Sequence, residues 1–353
     1  MSVLVKGGAT SLANLLIDVS KDWGGFSIEN IAEPLAGVDA LPRGLVDIYS
    51  SDWGLNWVDL GAVVGLTARI DSGDYLGNGV VVLGDRLRHI FRSTDYGVTY
   101  ADLGVITSNE VYVILSLGNG VAIAMGDGEH VYRSVDYGLN WADLGVIADD
   151  EVNCLAYLGN GIAIFADRDG HIQRSTDFGL NWVDLGVITG VTWNMAVAYM
   201  GNGIVCLACA DNHVYRSIDY GATWNDLGAI TTNLAYALTY LGNGVAIMAD
   251  GDSRIYRSID YGATWAFLID LGGANWFFAR PYLGNGICLL GDAFGHIFRS
   301  TDFGLTWPDL GDITGGQDVN VLVYCGNGIT IAADNSNPSH IWRSTSAFEV
   351  WKE

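Results

Sequence analysis

Two short phrases recur down this chain at nearly constant spacing, and no other feature restricts its fold as tightly. Gly-Asn-Gly occurs seven times, with Asn at 78, 119, 160, 202, 243, 285 and 327. Ser-x-Asp-x-Gly-x-x-(Trp/Tyr) places its aspartate at 52, 95, 136, 177, 219, 260 and 302. Successive aspartates stand 41 to 43 residues apart, and a worn copy, Ser344-Thr345-Ser346, ends the series. A period of this size makes each repeat one supersecondary unit, which buries its apolar surface by stacking on its neighbours.

The unit itself reads as β. In the copy from Val111 to Leu144, apolar runs flank Gly-Asn-Gly, whose residues supply the positive φ of a tight hairpin. Alternation, β-branched and aromatic enrichment and a turn every 8 to 12 residues predict four short strands, A to D. Strand C is placed at Val131–Ser134 and strand D at Asn140–Leu144. Four strands per 40-odd residues predict an all-β chain, a β-propeller of four-stranded blades. Seven hairpins favour seven blades, closed by the strand around Trp57 completing the last one. Eight blades would need residues 11 to 33 to supply a divergent hairpin. The expected domains are an N-terminal arm, 1–44, and the propeller, 45–353.

Ser-x-Asp-x-Gly-x-x-Trp resembles the Asp-box, or BNR repeat, of sialidase-like propellers. The resemblance implies that Asp52, Asp95, Asp136, Asp177, Asp219, Asp260 and Asp302 are structural, each tying down backbone amides in a C–D turn while the Trp packs between blades. Before the repeats, the phrase from Asp22-Trp23-Gly24-Gly25 through Ile31-Ala32-Glu33-Pro34 to Asp39-Ala40 resembles a segment of phage tail-fibre proteins. That implies an attachment arm, although the Lys-x-Tyr-Val that usually comes next is replaced by Leu41-Pro42-Arg43-Gly44.

Charge narrows the partners. The net charge is -23 with only three lysines, which repels nucleic acid and anionic lipid. No apolar run reaches the length of a membrane-spanning helix, so no membrane insertion is expected. The first 16 residues lack the pattern of a secretion signal. Five cysteines, 154, 206, 209, 288 and 325, do not form a disulfide framework. Cys206 and Cys209 fall three apart in an apolar strand, so they face opposite ways and cannot hold one metal. All five read as small buried hydrophobes.

Catalytic patterns are scarce. All six histidines, 89, 130, 171, 213, 296 and 340, occupy one repeat position before strand C, and Arg254 takes it in the remaining copy. Aspartates at 85, 127, 211 and 292 lie close by in sequence, but equivalent positions on different blades cannot converge on one metal. Seven arginines, 92, 133, 174, 216, 257, 299 and 343, precede the box serine, so the repeat accounts for them. A sialidase needs an arginine cluster, a Tyr-Glu pair and an acid/base Asp, and its Phe-Arg-Ile-Pro phrase is absent. No catalytic residue, metal or cofactor is assigned, and no enzyme is expected.

Variation concentrates in the D–A links and B–C turns, which strand order places on one face. Loops on a rigid scaffold are the usual place for recognition. The candidate ligand-binding residues there are Glu110, Asp149, Asp150, Glu151, Trp193, Asn194, Asn233, Asn275, Trp276, Phe277, Gln317 and Asp318. Aromatic platforms suit sugars or protein hot spots, although Trp193, Trp276 and Phe277 equally suit a plug for the central channel. The expected function is a non-enzymatic binding propeller: a virion, tail or surface adhesin for a host glycan or protein, with the arm mounting it on virion or tail proteins. The alternatives are an intracellular assembly scaffold in the cytoplasm and a sialidase-like glycoside hydrolase. The sequence sets no oligomeric state.

Overall fold

A computed structural model describes residues 53–344, except 128, 189–193, 273–276 and 280. The tail-fibre-like segment, the arm 1–44 and Asp52 lie outside the described residues. By its contacts the chain divides at Arg43/Gly44, and all the described residues belong to the second unit.

Seven antiparallel sheets make up that unit, and no described residue is helical. Blade 3 shows the pattern: strand A is Val152–Gly159, B is Ile162–Asp167, C is His171–Ser175 and D is Val183–Val187, hydrogen-bonded in that order. Blades 1, 2, 4 and 5 repeat it over 70–105, 111–146, 194–229 and 235–270. Blade 6 spans 277–312, with strand A split into Phe277–Ala279 and Tyr282–Gly284. In blade 7, strands Val319–Tyr324, Thr330–Asp334 and His340–Ser344 are completed by Trp57–Ala62 from the other end of the repeat array. This settles seven blades over eight, because the early strand is the missing outer strand of the last blade.

Local chemistry explains each blade. Asn78 and Gly79 take φ of 53° and 79°, the two positive values of a type I′ turn, and the other six hairpins repeat them. Strand B reads as continuous apolar sequence because neighbouring blades cover both of its faces; Val80–Asp85 is buried throughout. Strand D, on the rim, is mostly exposed. It starts two residues later than its sequence pattern indicates, at Ala142 rather than Asn140. The Asn140 amides are held by Asp136, and Trp141 Nε1 donates to Gly138 O at 3.0 Å, so these residues belong to the turn.

Apolar packing forms layers between blades rather than one central core. Leu76, Val82 and Ile90 of blade 1 pack with Val111, Ile114 and Ala124 of blade 2, and Trp141 lies against this layer. The five cysteines are buried. Cys206 and Cys209 enter different layers, as alternation in one strand requires.

Candidate functional site

The two faces of the ring do different work. On one face the Asp-box turns are knitted into the scaffold. Asp95 accepts from the amides of Val98 (3.0 Å) and Thr99 (2.9 Å) and from the Thr99 hydroxyl (2.6 Å). Ser93 Oγ donates to Asp95 (2.7 Å) and accepts from Gly97 N (2.9 Å). Asp136, Asp177, Asp219, Asp260 and Asp302 make the same kind of bonds. Burial pushes these carboxyls up, but the hydrogen bonds outweigh it and hold all six below the usual range.

The same turn closes two further links. Tyr96 N donates to Gly79 O (2.9 Å), stapling the box to the hairpin of its own blade. Tyr96 O in turn accepts from Arg343 Nε of the preceding blade (3.0 Å). Arg92, Arg133, Arg216, Arg257 and Arg299 each reach the next blade in this way, Arg299 at Trp53 O. The arginines before the box serine are therefore interblade latches; Arg174 Nε alone among the seven finds no hydrogen-bond partner.

The opposite face is built from the D–A links and B–C turns, which are paired by backbone bonds such as Ile147 N to Glu129 O and Arg168 N to Glu151 O (both 2.9 Å). Five of the six histidine rings meet an aspartate of strand D thirteen residues on: His89 with Asp102, His130 with Asp143, His171 with Asp184, His213 with Asp226, His296 with Asp309. His340 meets Asp59 on the closing strand. The aspartates closer in sequence act otherwise. Asp85 and Asp292 accept from the backbone N of His89 and His296, and Asp211 from that of His213. Asp127 is exposed in its turn. The thirteen-residue interval was the sequence signal for the ring partner.

The described candidate recognition residues fall on links of this face in several blades. Glu110 accepts from the Tyr112 hydroxyl (2.9 Å). Asp150 accepts from Glu151 N (2.7 Å), and Glu151 lies 3.4 Å from Arg168. Asn233 Nδ2 donates to Asp252 (2.9 Å). Gln317 N donates to Thr314 Oγ1 (3.0 Å), and Asp318 N to Asn335 Oδ1 (3.2 Å). Asn194 and Phe277 begin the innermost strands of blades 4 and 6. Trp193, Asn275 and Trp276 lie outside the described residues.

Among the described residues, only the link between blades 2 and 3 gathers several of these groups. There Asp149 comes to 3.6 Å from His171 Nδ1, beside the Asp184 partner of that ring at 3.3 Å. Burial lowers the His171 pKa, but the hydrogen bond to Asp184 and the charges of Asp167, Asp184 and Asp149 outweigh it and raise it. Around this cluster the face carries Asp127 and Glu129 of blade 2, Asp149, Asp150 and Glu151 of the link, Asp169 of blade 3 and Asp211 of blade 4; the opposing cation is Arg168. Blade 1 is different: Arg69 and Arg86 both clasp Asp71, at 2.5 and 2.6 Å. A dimple of about 10 Å³ beside Glu110, Gly126 and His130 has room for no more than a water, and an open groove of about 350 Å³ lies on blade 4 around Ile218 and Trp224.

A repeat-built scaffold with one invariant and one variable face defines a seven-bladed β-propeller. No family model and no curated protein matches the chain. Solved structures do: YCF48 bound to D1 peptide is 16% identical, with a TM-score of 0.67 over 82% of this chain and 97% of that one. A streptogramin B lyase is 11% identical, with a TM-score of 0.70 over 82% and 96%. The WD40 propeller domain of Doa1 is 10% identical, with a TM-score of 0.68 over 85% and 100%. At these identities the likeness is one of fold. It leaves the sialidase-like and tail-fibre similarities as resemblances.

Proposed function

We propose that the chain is a non-enzymatic binding propeller that holds a cationic segment of a protein partner on its variable face over blades 2 to 4. The observation that carries this reading is the acidic patch of Asp127, Glu129, Asp149, Asp150, Glu151, Asp169 and Asp211 on B–C turns and a D–A link. Same-sign charge gathered on a rigid surface selects an oppositely charged partner and speeds its arrival. YCF48, a similar propeller, is seen with a peptide, which supports a protein partner. The non-catalytic reading is supported by the histidines, which the repeat places one per blade with an aspartate each. A surface adhesin is a narrower form of the same role. It depends on residues 22–41, and glycan recognition depends on Trp193 and Trp276, all outside the described residues.

The test is fluorescence anisotropy of a labelled Lys/Arg-rich peptide. The variant Asp127→Asn/Asp150→Asn/Asp169→Asn should bind more weakly than wild type. A charge-matched variant on the rim outside blades 2 to 4, Asp59→Asn/Asp270→Asn/Asp309→Asn, should bind as wild type does. Equal losses would mean that only net charge attracts the peptide and would overturn the assignment.

A further inference from the structure

The His171 cluster departs from its own repeat. In five other blades the histidine Nδ1 sits 2.8 to 3.1 Å from its aspartate, the length of one hydrogen bond. At His171 the Asp184 oxygens stand back to 3.3 and 3.4 Å, and Asp149 enters at 3.6 Å. One ring nitrogen carries at most one proton, so it cannot satisfy two carboxylates, and the two anions repel each other across it.

We propose that Asp149, His171 and Asp184 form a binding site for a zinc-type divalent cation, with His171 Nδ1 and one oxygen from each carboxylate as ligands. The three ligand atoms lie within 4.8 Å of one another. With ligands about 2.1 Å from the metal, neighbouring ligand atoms stand about 3.4 Å apart in a tetrahedron and about 3.0 Å apart in an octahedron. The separations of 3.3 and 3.6 Å fit the tetrahedral edge. A neutral imidazole with two carboxylates offers two negative charges to a divalent ion, and its nitrogen donor favours zinc-type metals over calcium or magnesium. The fourth position is left for water or a partner's group.

Each ligand is also anchored. The buried Asp167 accepts from His171 N (2.9 Å) through one oxygen and from Asp149 N (3.3 Å) through the other, so a single carboxylate fixes both the link and the start of strand C. Asp184 is held by Gly186 N at 2.7 Å. Such outer-shell bonds orient ligands before the metal arrives. Blade 2 is the internal control: Ser108 stands where blade 3 has Asp149 and bonds the Tyr132 hydroxyl at 2.9 Å instead.

The full chain, stripped with a chelator, is titrated with Zn(II) by calorimetry and with Co(II) by visible absorption, which distinguishes tetrahedral coordination. One saturable site is expected. Asp149→Asn and Asp184→Asn should each weaken it by at least the ~10–100-fold that loss of an outer-shell partner costs. His171→Gln should abolish it, and His130→Gln, which breaks the equivalent dyad of blade 2, should leave it unchanged. Circular dichroism establishes that each variant is folded. No saturable binding, several equal sites, or Asp149→Asn binding as wild type would overturn the site.

Discussion

If the Asp-box aspartates are structural, removing one should cost an amount that can be worked from its bonds. Asp219 is suitable because it lies far from the His171 cluster in sequence and makes three short bonds. Oδ1 accepts from Thr223 N and from Ser217 Oγ, both at 2.8 Å, and Oδ2 accepts from Thr223 Oγ1 at 2.7 Å. A hydrogen bond to a charged group contributes about 1.5–3 kcal/mol; in a turn open to water we take about 1 kcal/mol each. Asp219→Ala should then cost about 3 kcal/mol. Asp219→Asn keeps Oδ1 as an acceptor and should cost about 1 kcal/mol. Unfolding entropy of about 2.1 cal/mol/K per residue over roughly 290 residues gives about 0.6 kcal/mol per degree, so Tm should fall by about 5 °C for Ala and about 2 °C for Asn. Calorimetry or Trp fluorescence on heating reads both. The effect also depends on pH. The Asp219 carboxyl is pushed up by burial but pulled further down by Thr223 and Ser217, so its folded pKa lies below its unfolded one. Its contribution is therefore present above the unfolded value of about 3.9 and is lost as pH falls through the lower folded value. The gap between wild type and Asp219→Asn should close on acidification below that point. An Ala variant within 1 °C of wild type, or Asn and Ala shifts of equal size, would refute this account of the turn.

Three other outcomes are expected. Gly126→Ala should destabilise by about 3 kcal/mol or more, since its new Cβ would fall 1.7 Å from the Glu110 carbonyl oxygen, whereas at Gly145 a Cβ meets open space and costs only about 1–2 kcal/mol for its positive φ; chemical denaturation separates the two. Arg257→Ala, which removes the 2.9 Å latch to Phe303 O, should lower Tm more than Arg174→Ala, whose Nε has no partner to lose. Asp74 keeps partial solvent contact, yet burial among the innermost strands raises its pKa to about 6 against the amides of Ser116 and Tyr75, so its ionisation weakens the fold progressively as pH rises from about 4 to 6. Asp74→Asn should therefore raise Tm at pH 8 and leave it nearly unchanged at pH 4, as a pH series of melts would read.

Much of the architecture was legible because it is written in residues whose conformational demands are local. Asn-Gly fixes a type I′ hairpin wherever it falls, and the box aspartate folds its turn from atoms at most four residues away. Repeated seven times, these local rules determine the blade, its period and, with the strand at Trp57, the number of blades. The interval of thirteen residues between histidine and aspartate was equally present in the sequence, but its meaning depends on the register that sets His89 opposite Val105 and lets its ring reach Asp102.

Other features belong to tertiary structure alone. The latch from Arg299 to Trp53 spans 246 residues and exists only because the ring closes. The grouping of Asp149 with His171 and Asp184 is decided the same way. The sequence argues against a metal at Cys206 and Cys209 and between equivalent positions of different blades, whereas the fold turns one link back over the next blade and pins it there with Asp167. The sequence by itself determined the repeating unit, because turns are short-range. Which of the repeat's many charged side chains meet was decided by how the links between units pack, and that depends on neighbours the local pattern does not specify.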